Sequence, residues 1–186
     1  MLPAAIHANP CISEERGSTE RLCALPSGPL FAKRFQGYVA DCLKQIFEDY
    51  LLGPRHEVRG SNGSVRADLV FRNKGLGWFW DLVMHRYDAY HLVVECKNTD
   101  TVSPDDVTQL ASYLGKPLGR FGLLVSKQGA PSRFRKRARH FLWGDEKLIL
   151  HLSVADLAQL EETRIRGDDV NELLSRRYED LIQAVT

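Results

Sequence analysis

Glu95 and Lys97 close the apolar stretch HLVVECK, and Asp68 sits in the apolar stretch VRADLVF one element earlier. Side chains at i and i+2 of a strand share a face, so Glu95 and Lys97 project together while Val94 and Cys96 project the other way. A carboxylate and an ammonium at the end of a core strand cost desolvation free energy unless something compensates them. An ion pair at the strand end is the plainest compensation. A second acid on a neighbouring strand points to more. Two carboxylates suit Mg²⁺ or Mn²⁺, which bind through a few carboxylates together with waters and substrate phosphate. Such an ion activates water and offsets charge developing on a scissile phosphate, and a lysine beside it orients or deprotonates the attacking water. Two carboxylates could also serve a glycosidase, but the partnering lysine favours phosphate chemistry.

These residues need elements that bring them together. From Pro29 to about Leu52 the apolar positions Phe31, Phe35, Val39, Cys42, Leu43, Ile46 and Tyr50 recur at helical spacing, with Gly53-Pro54 as the stop. HEVRG and SVRADLVFR flank Ser61-Asn62-Gly63, a turn signal that predicts a hairpin. WFWDLVMHRYDAY reads as an aromatic helix leading into the Glu95 strand. Ser103-Pro104-Asp105-Asp106 is a helix start, with an N-cap serine, a proline at the first helical position and acids in the first turn. In the helix that follows, Gln109 and Tyr113 are i and i+4 and share a face, while Leu110 and Leu114 pack inward. GRFGLLVSK and EKLILHLS read as further strands around a basic helix, PSRFRKRARHFLW. VADLAQLEETR and DDVNELLSRRYEDLIQAV read as two closing helices. Helices alternating with short apolar strands predict an α/β fold with a mixed central sheet flanked by helices.

The chain of 186 residues, 44% hydrophobic, is long enough for one domain with a sizeable core. Its 25 Lys and Arg nearly balance 24 Asp and Glu, so only a local basic patch could announce a nucleic acid. The four cysteines include no C-x-x-C pair, and Cys42 and Cys96 sit in apolar patterns, which predicts free thiols in a reduced, cytoplasmic setting. No apolar run nears the ~18 residues that span a membrane, and residues 1–20 do not look like a signal peptide. Residues 1–28 are expected to form a mobile tail, 29–152 the core, and 153–186 a helical extension of the same domain.

Asp68, then Glu95-Cys96-Lys97, then Gln109-x-x-x-Tyr113 resembles the PD-(D/E)xK nuclease superfamily, and within it the Mrr-type and RecB-like branch with a Q-x-x-x-Y helix. The resemblance covers roughly residues 29–127. It implies a restriction-endonuclease-like αβββαβ core, a metal-dependent endonuclease acting on DNA, and service in restriction or antiviral defence. By resemblance, Asp68 and Glu95 hold Mg²⁺ or Mn²⁺, Lys97 positions the water, and Gln109 and Tyr113 support the catalytic site or the nucleic acid. Two positions depart from the pattern. Ala67 stands where a proline often precedes the first acid. Gln36 stands where many relatives carry a helical glutamate that reaches the metal, unless a different register lets Glu48 serve. An amide brings no charge, and this keeps open an inactive nucleic-acid-binding or assembly module as the alternative.

Five of the seven positions 133–139 are Arg or Lys. A solvated helix face is the bland reading; in a nuclease such a run tracks phosphates. Arg135, Lys136 and Arg139 form the expected phosphate-facing stripe, with Phe134, Ala138 and Phe141 toward the core. Trp78 and Trp80 are expected in core or interface packing, and His85 and His91 are expected to be structural or surface residues, since neither stands at metal-ligand spacing. Substrate choice is expected to come from DNA structure, a homodimer, or a separate recognition or motor subunit, with RNA left open as a substrate.

Overall fold

In a computed structural model, residues 17–59 and 66–183 are described; the turn expected at Ser61-Asn62-Gly63 and the first part of the expected tail lie outside them. The protein is α/β, with a five-stranded mixed open sheet and, among the described residues, seven α-helices. In chain order these are α1 (Ser18–Ala24), α2 (Ala32–Ile46), β1 (Leu51–Arg59), β2 (Arg66–Asn73), α3 (Trp78–Arg86), β3 (His91–Lys97), α4 (Pro104–Tyr113), β4 (Phe121–Ser126), α5 (Ser132–Asp145), β5 (Leu148–Ser153), α6 (Val154–Arg166) and α7 (Glu172–Gln183).

The strands lie in sequence order. β1–β2 and β2–β3 are antiparallel, β3–β4 and β4–β5 parallel. Every residue of β4 and β5 is buried, as expected for parallel strands covered on both faces. The two crossovers carry α4 and α5, which pack against each other, while α2 and α6 form a second packed pair. Because β3, β4 and β5 run the same way, the starts of α4, α5 and α6 all lie at the C-terminal end of these strands. α4 lies close to the sheet at Gly122, where an added Cβ would come within 3.0 Å of Leu110.

Three boundaries differ from expectation. Residues 18–24, assigned to the tail, form α1, and Leu22 is fully buried against the core. The first long helix stops at Ile46, well before Gly53-Pro54. That pair lies inside β1, where the register with β2 shifts between Leu52 and Arg55. Gly53 takes a φ of 119° there, a conformation L side chains rarely adopt, so the glycine serves a bulge and not a helix end. α3 ends at Arg86, and the following residues turn through Asp88, which has positive φ, instead of continuing the helix.

Leu157, Leu160, Leu174, Tyr178 and Leu181 are buried in the same core as the strands, so α6 and α7 are part of one packed body. Trp80 is buried and donates its indole N–H to Asn171 Oδ1 at 2.7 Å, while Trp78 is exposed. Phe134, Ala138 and Phe141 are the buried face of α5. No described helix is long and apolar enough to cross a membrane.

Candidate active site

β2 and β3 set the first two acids side by side. Val70 pairs with Val93 and Leu69 with Val94, which carries Asp68 toward Glu95. Asp68 Oδ2 accepts the backbone N–H of Cys96 at 2.9 Å, fixing that carboxylate to the peptide that links Glu95 to Cys96. Glu95 is 4% exposed, and its Oε2 is buried without a hydrogen-bond partner among the described residues. Its Oε1 lies 3.0 Å from Lys97 Nζ.

α4 supplies the rest. Its N-terminus is closed by a capping box in which Ser103 Oγ accepts the Asp106 N–H, and Asp106 Oδ2 accepts the Ser103 N–H at 2.8 Å. The other oxygen of that carboxylate, Oδ1, lies 3.3 Å from Lys97 Nζ. One turn on, Gln109 Oε1 accepts from Lys97 Nζ at 2.8 Å, and Gln109 Nε2 donates to the Tyr113 hydroxyl at 2.8 Å. A single ammonium is therefore held by Glu95, Asp106 and Gln109, and Tyr113 fixes the amide that holds it.

The electrostatics follow from the count. Two carboxylates, Glu95 and Asp106, flank one ammonium and Asp68 stands beside Glu95, so the fully ionised cluster carries an excess of two negative charges. Burial, then the Asp68 charge, pushes the Glu95 carboxyl up to about 7 against the pull of Lys97. Burial also raises Asp68, although the Cys96 N–H stabilises its charged form. For Lys97, burial alone would favour the neutral amine, but Glu95 and then Asp106 outweigh it and hold the group above its ordinary value. Lys97 is thereby favoured as the cationic ammonium. Asp106 is also opposed by burial, yet the Ser103 hydrogen bonds and Lys97 leave it below the usual carboxylate range.

Gln36 does not reach the carboxylates. Its Nε2 donates to the backbone carbonyl of Asp68 at 2.7 Å, so α2 supports the strand under the acid. Glu48 is elsewhere, paired with Arg164. The segment before α2 is tied to the end of β3 by Asn98, whose Nδ2 donates to Pro26 O and Gly28 O at 3.0 and 2.9 Å. Among the described residues no three His, Cys, Asp or Glu side chains are grouped to hold a metal ion. Asp68 and Glu95 would offer an ion two carboxylates, a set that would fit Mg²⁺ better than most ions, because Mg²⁺ keeps several waters and takes one or two carboxylates plus phosphate. The unpartnered Glu95 Oε2 and the excess negative charge fit a hard cation.

On α5, Arg135 and Lys136 are exposed, but Arg139 is turned away from any stripe. Its Nε donates to Leu181 O at 3.2 Å and its Nη2 to Asp180 O at 3.5 Å, near the end of α7. Arg137 leans toward the site's helix, donating to Thr108 Oγ1 at 3.1 Å and stacking over Phe141. Helical spacing alone could not show these tertiary partners. Asp106 is the site residue that sequence reasoning missed; the acids after Ser103 signalled a helix start, while the approach of Lys97 to the second oxygen carries no local signal.

No family model matches the chain, and no solved structure matches it. Over 170 residues, 88% of its length, it is 25% identical to the transposon gamma-delta 80.3 kDa protein of Escherichia coli (strain K12). The chain spans 24% of the length of that relative.

Proposed function

We propose that this chain is a metal-dependent nuclease of the PD-(D/E)xK type, hydrolysing phosphodiester bonds in DNA. The observation that supports it most is the buried, unpartnered Glu95 Oε2 beside Asp68, in a cluster whose three carboxylates outnumber its one ammonium. Asp68 and Glu95 would hold Mg²⁺ or Mn²⁺. When bound, the ion supplies Lewis acidity toward water and phosphate and offsets charge developing in the transition state.

The chain's own residues do the positioning. Lys97, kept cationic by Glu95 and Asp106, would exchange one of its three present partners for the attacking water or a phosphate oxygen, drawn there by its positive charge. Gln109 holds the ammonium in place, and Tyr113 holds Gln109. The order α2-β1-β2-α3-β3-α4-β4 is compatible with a restriction-endonuclease-like αβββαβ core that carries one helix, α3, inserted between its second and third strands. A setting in restriction or antiviral defence in the cytoplasm, as a homodimer or beside a separate recognition or motor subunit, belongs to the same proposal. The relative's name assigns no reaction, and this reading does not rest on it.

A second reading has one observation in its favour. Gln36 brings no charge and is engaged with a backbone carbonyl, leaving two acids where many nucleases gather three. In that reading the chain is a nucleic-acid-binding or assembly module without catalysis. Incubating the pure protein with supercoiled plasmid and Mn²⁺, beside Lys97→Ala, separates the two.

A further inference from the structure

The sheet carries a second feature on the face that bears Asp68 and Glu95. Along β2, Asp68, Val70 and Arg72 alternate onto one face, and β3 places His91 opposite Arg72 and Val93 opposite Val70 on that same face. β1 sets Arg55 opposite Val70 and Leu52 opposite Arg72. Together with Leu118, from the loop after α4, these residues line an open cleft of about 320 Å³, with Leu52, Val70 and Leu118 as apolar floor and Arg55, Arg72 and His91 as its polar groups. Arg55 and Arg72 are exposed, and among the described residues neither guanidinium has a carboxylate within ion-pair distance. Their field is felt locally: burial, then Arg55 and Arg72, lower the proton affinity of His91. Two unneutralised guanidiniums and an imidazole on a wall with no acid are complementary to an anion.

We infer that this cleft is a phosphate-binding track, in which Arg55 and Arg72 bind the backbone of the nucleic acid that runs on to Asp68 and Glu95. The inference rests on the nuclease reading for the identity of its ligand. Four residue steps along the strand separate Arg72 from Asp68, about 13 Å, which is the axial rise of about four nucleotides of one B-DNA strand. Arg55 stands about halfway. The two guanidiniums thus follow the line that leads to the acids, and α5 with Arg135 and Lys136 lies beyond the opposite side of α4. Contacts of this kind position a strand without reading its sequence. His91 shapes the cleft between Arg72 and Leu118 and brings no charge of its own when neutral.

The test is binding by the full chain of a short labelled duplex, without metal, across a salt series. Arg55→Gln with Arg72→Gln is expected to weaken binding alike on unrelated sequences and to flatten the slope of log affinity against log salt by roughly two, about 0.9 per phosphate. Arg55→Lys with Arg72→Lys is expected to keep the wild-type slope. In the wild-type protein, duplex is expected to shield Arg55 and Arg72 from an arginine-modifying dicarbonyl reagent, a readout that needs no variant to fold. A glutamine variant with the wild-type melting temperature, affinity and slope overturns the track, as does undiminished modification under saturating duplex, or a protein that binds polyglutamate and no nucleic acid. Cleavage is scored separately with Mn²⁺. A wild type that cuts while the glutamine variant binds normally sinks the track alone. A wild type that never cuts, yet loses binding in the variant, keeps the track and sinks the nuclease reading.

Discussion

Asp106 and Lys97 are joined by a carboxylate with two separate tasks: one oxygen closes the capping box of α4 through Ser103, and the other stands 3.3 Å from the Lys97 ammonium. The helix start and the site's only lysine are thereby coupled. Whatever fixes α4 also fixes the donor that faces Glu95.

That coupling separates two substitutions. Ser103→Ala removes the cap and leaves the Asp106 charge, and it should destabilise the protein by about 1 kcal/mol. Asp106→Asn keeps a capping oxygen but removes the charge, so Lys97 loses one of its two anionic neighbours. Chemical denaturation should show the larger loss for Ser103→Ala. Cleavage should fall further in Asp106→Asn; equal activity in the two variants would detach Asp106 from Lys97.

The raised proton affinity of Glu95 predicts a pH dependence. Its folded-state value, about 7, lies above the ordinary 4.5, so the native state binds the proton more tightly than the unfolded chain. The associated stability is fully present below about pH 4.5 and is lost as pH rises to about 7, amounting to about 3 kcal/mol. Asp68 shifts in the same direction and adds to the trend. Denaturation of metal-free protein across this window should show a decline that Glu95→Gln flattens. An identical pH profile in wild type and Glu95→Gln would mean that Glu95 is not the strained group.

Divalent cation should reverse that loss. An ion that binds only the native state at a hundred times its dissociation constant stabilises by about 2.7 kcal/mol, which is roughly 5–10 °C of melting temperature for a domain of this size. The gain should be larger at pH 8 than at pH 6, because ion and proton compete for the same carboxylates. Asp68→Ala should abolish the response to Mn²⁺; a response of equal size in that variant would place the ion elsewhere.

Much of this arrangement was legible from local pattern. The i, i+2 relation of Glu95 and Lys97, the Ser103 helix start, the Gln109–Tyr113 face and the buried Phe134, Ala138 and Phe141 all follow from strand and helix periods acting within one element. What escaped depends on partners distant in sequence. Arg139 looked like a member of a basic stripe until the α7 carbonyls claimed it, and Asp106 looked like a cap until Lys97 arrived from β3. Gly53-Pro54 signalled a break that β1 absorbs as a bulge. α1 was hidden by tail-like composition, because its burial of Leu22 needs α2 and α6 already in place.

The revised role of α5 gives a fourth prediction. Arg139→Ala should lower stability by about 1 kcal/mol, the usual worth of hydrogen bonds like those to Leu181 and Asp180, and leave the salt slope of DNA binding unchanged. Arg135→Ala with Lys136→Ala should do the reverse, flattening the slope by roughly two with little change in melting temperature. An unchanged slope in that double variant would make this helix a solvated face and leave the phosphate contacts to other residues.

The most direct test of the central claim is the conversion of supercoiled plasmid to nicked or linear DNA by the wild type and by Asp68→Ala, Glu95→Ala and Lys97→Ala, with Mg²⁺ or Mn²⁺ and with chelator. Cleavage is expected in the wild type only, and only with the ion. Because the three residues act as one unit, double substitutions should be no worse than single ones. A Lys97→Ala protein that cuts at the wild-type rate, or a folded wild type that cuts nothing with either ion, would contradict the account.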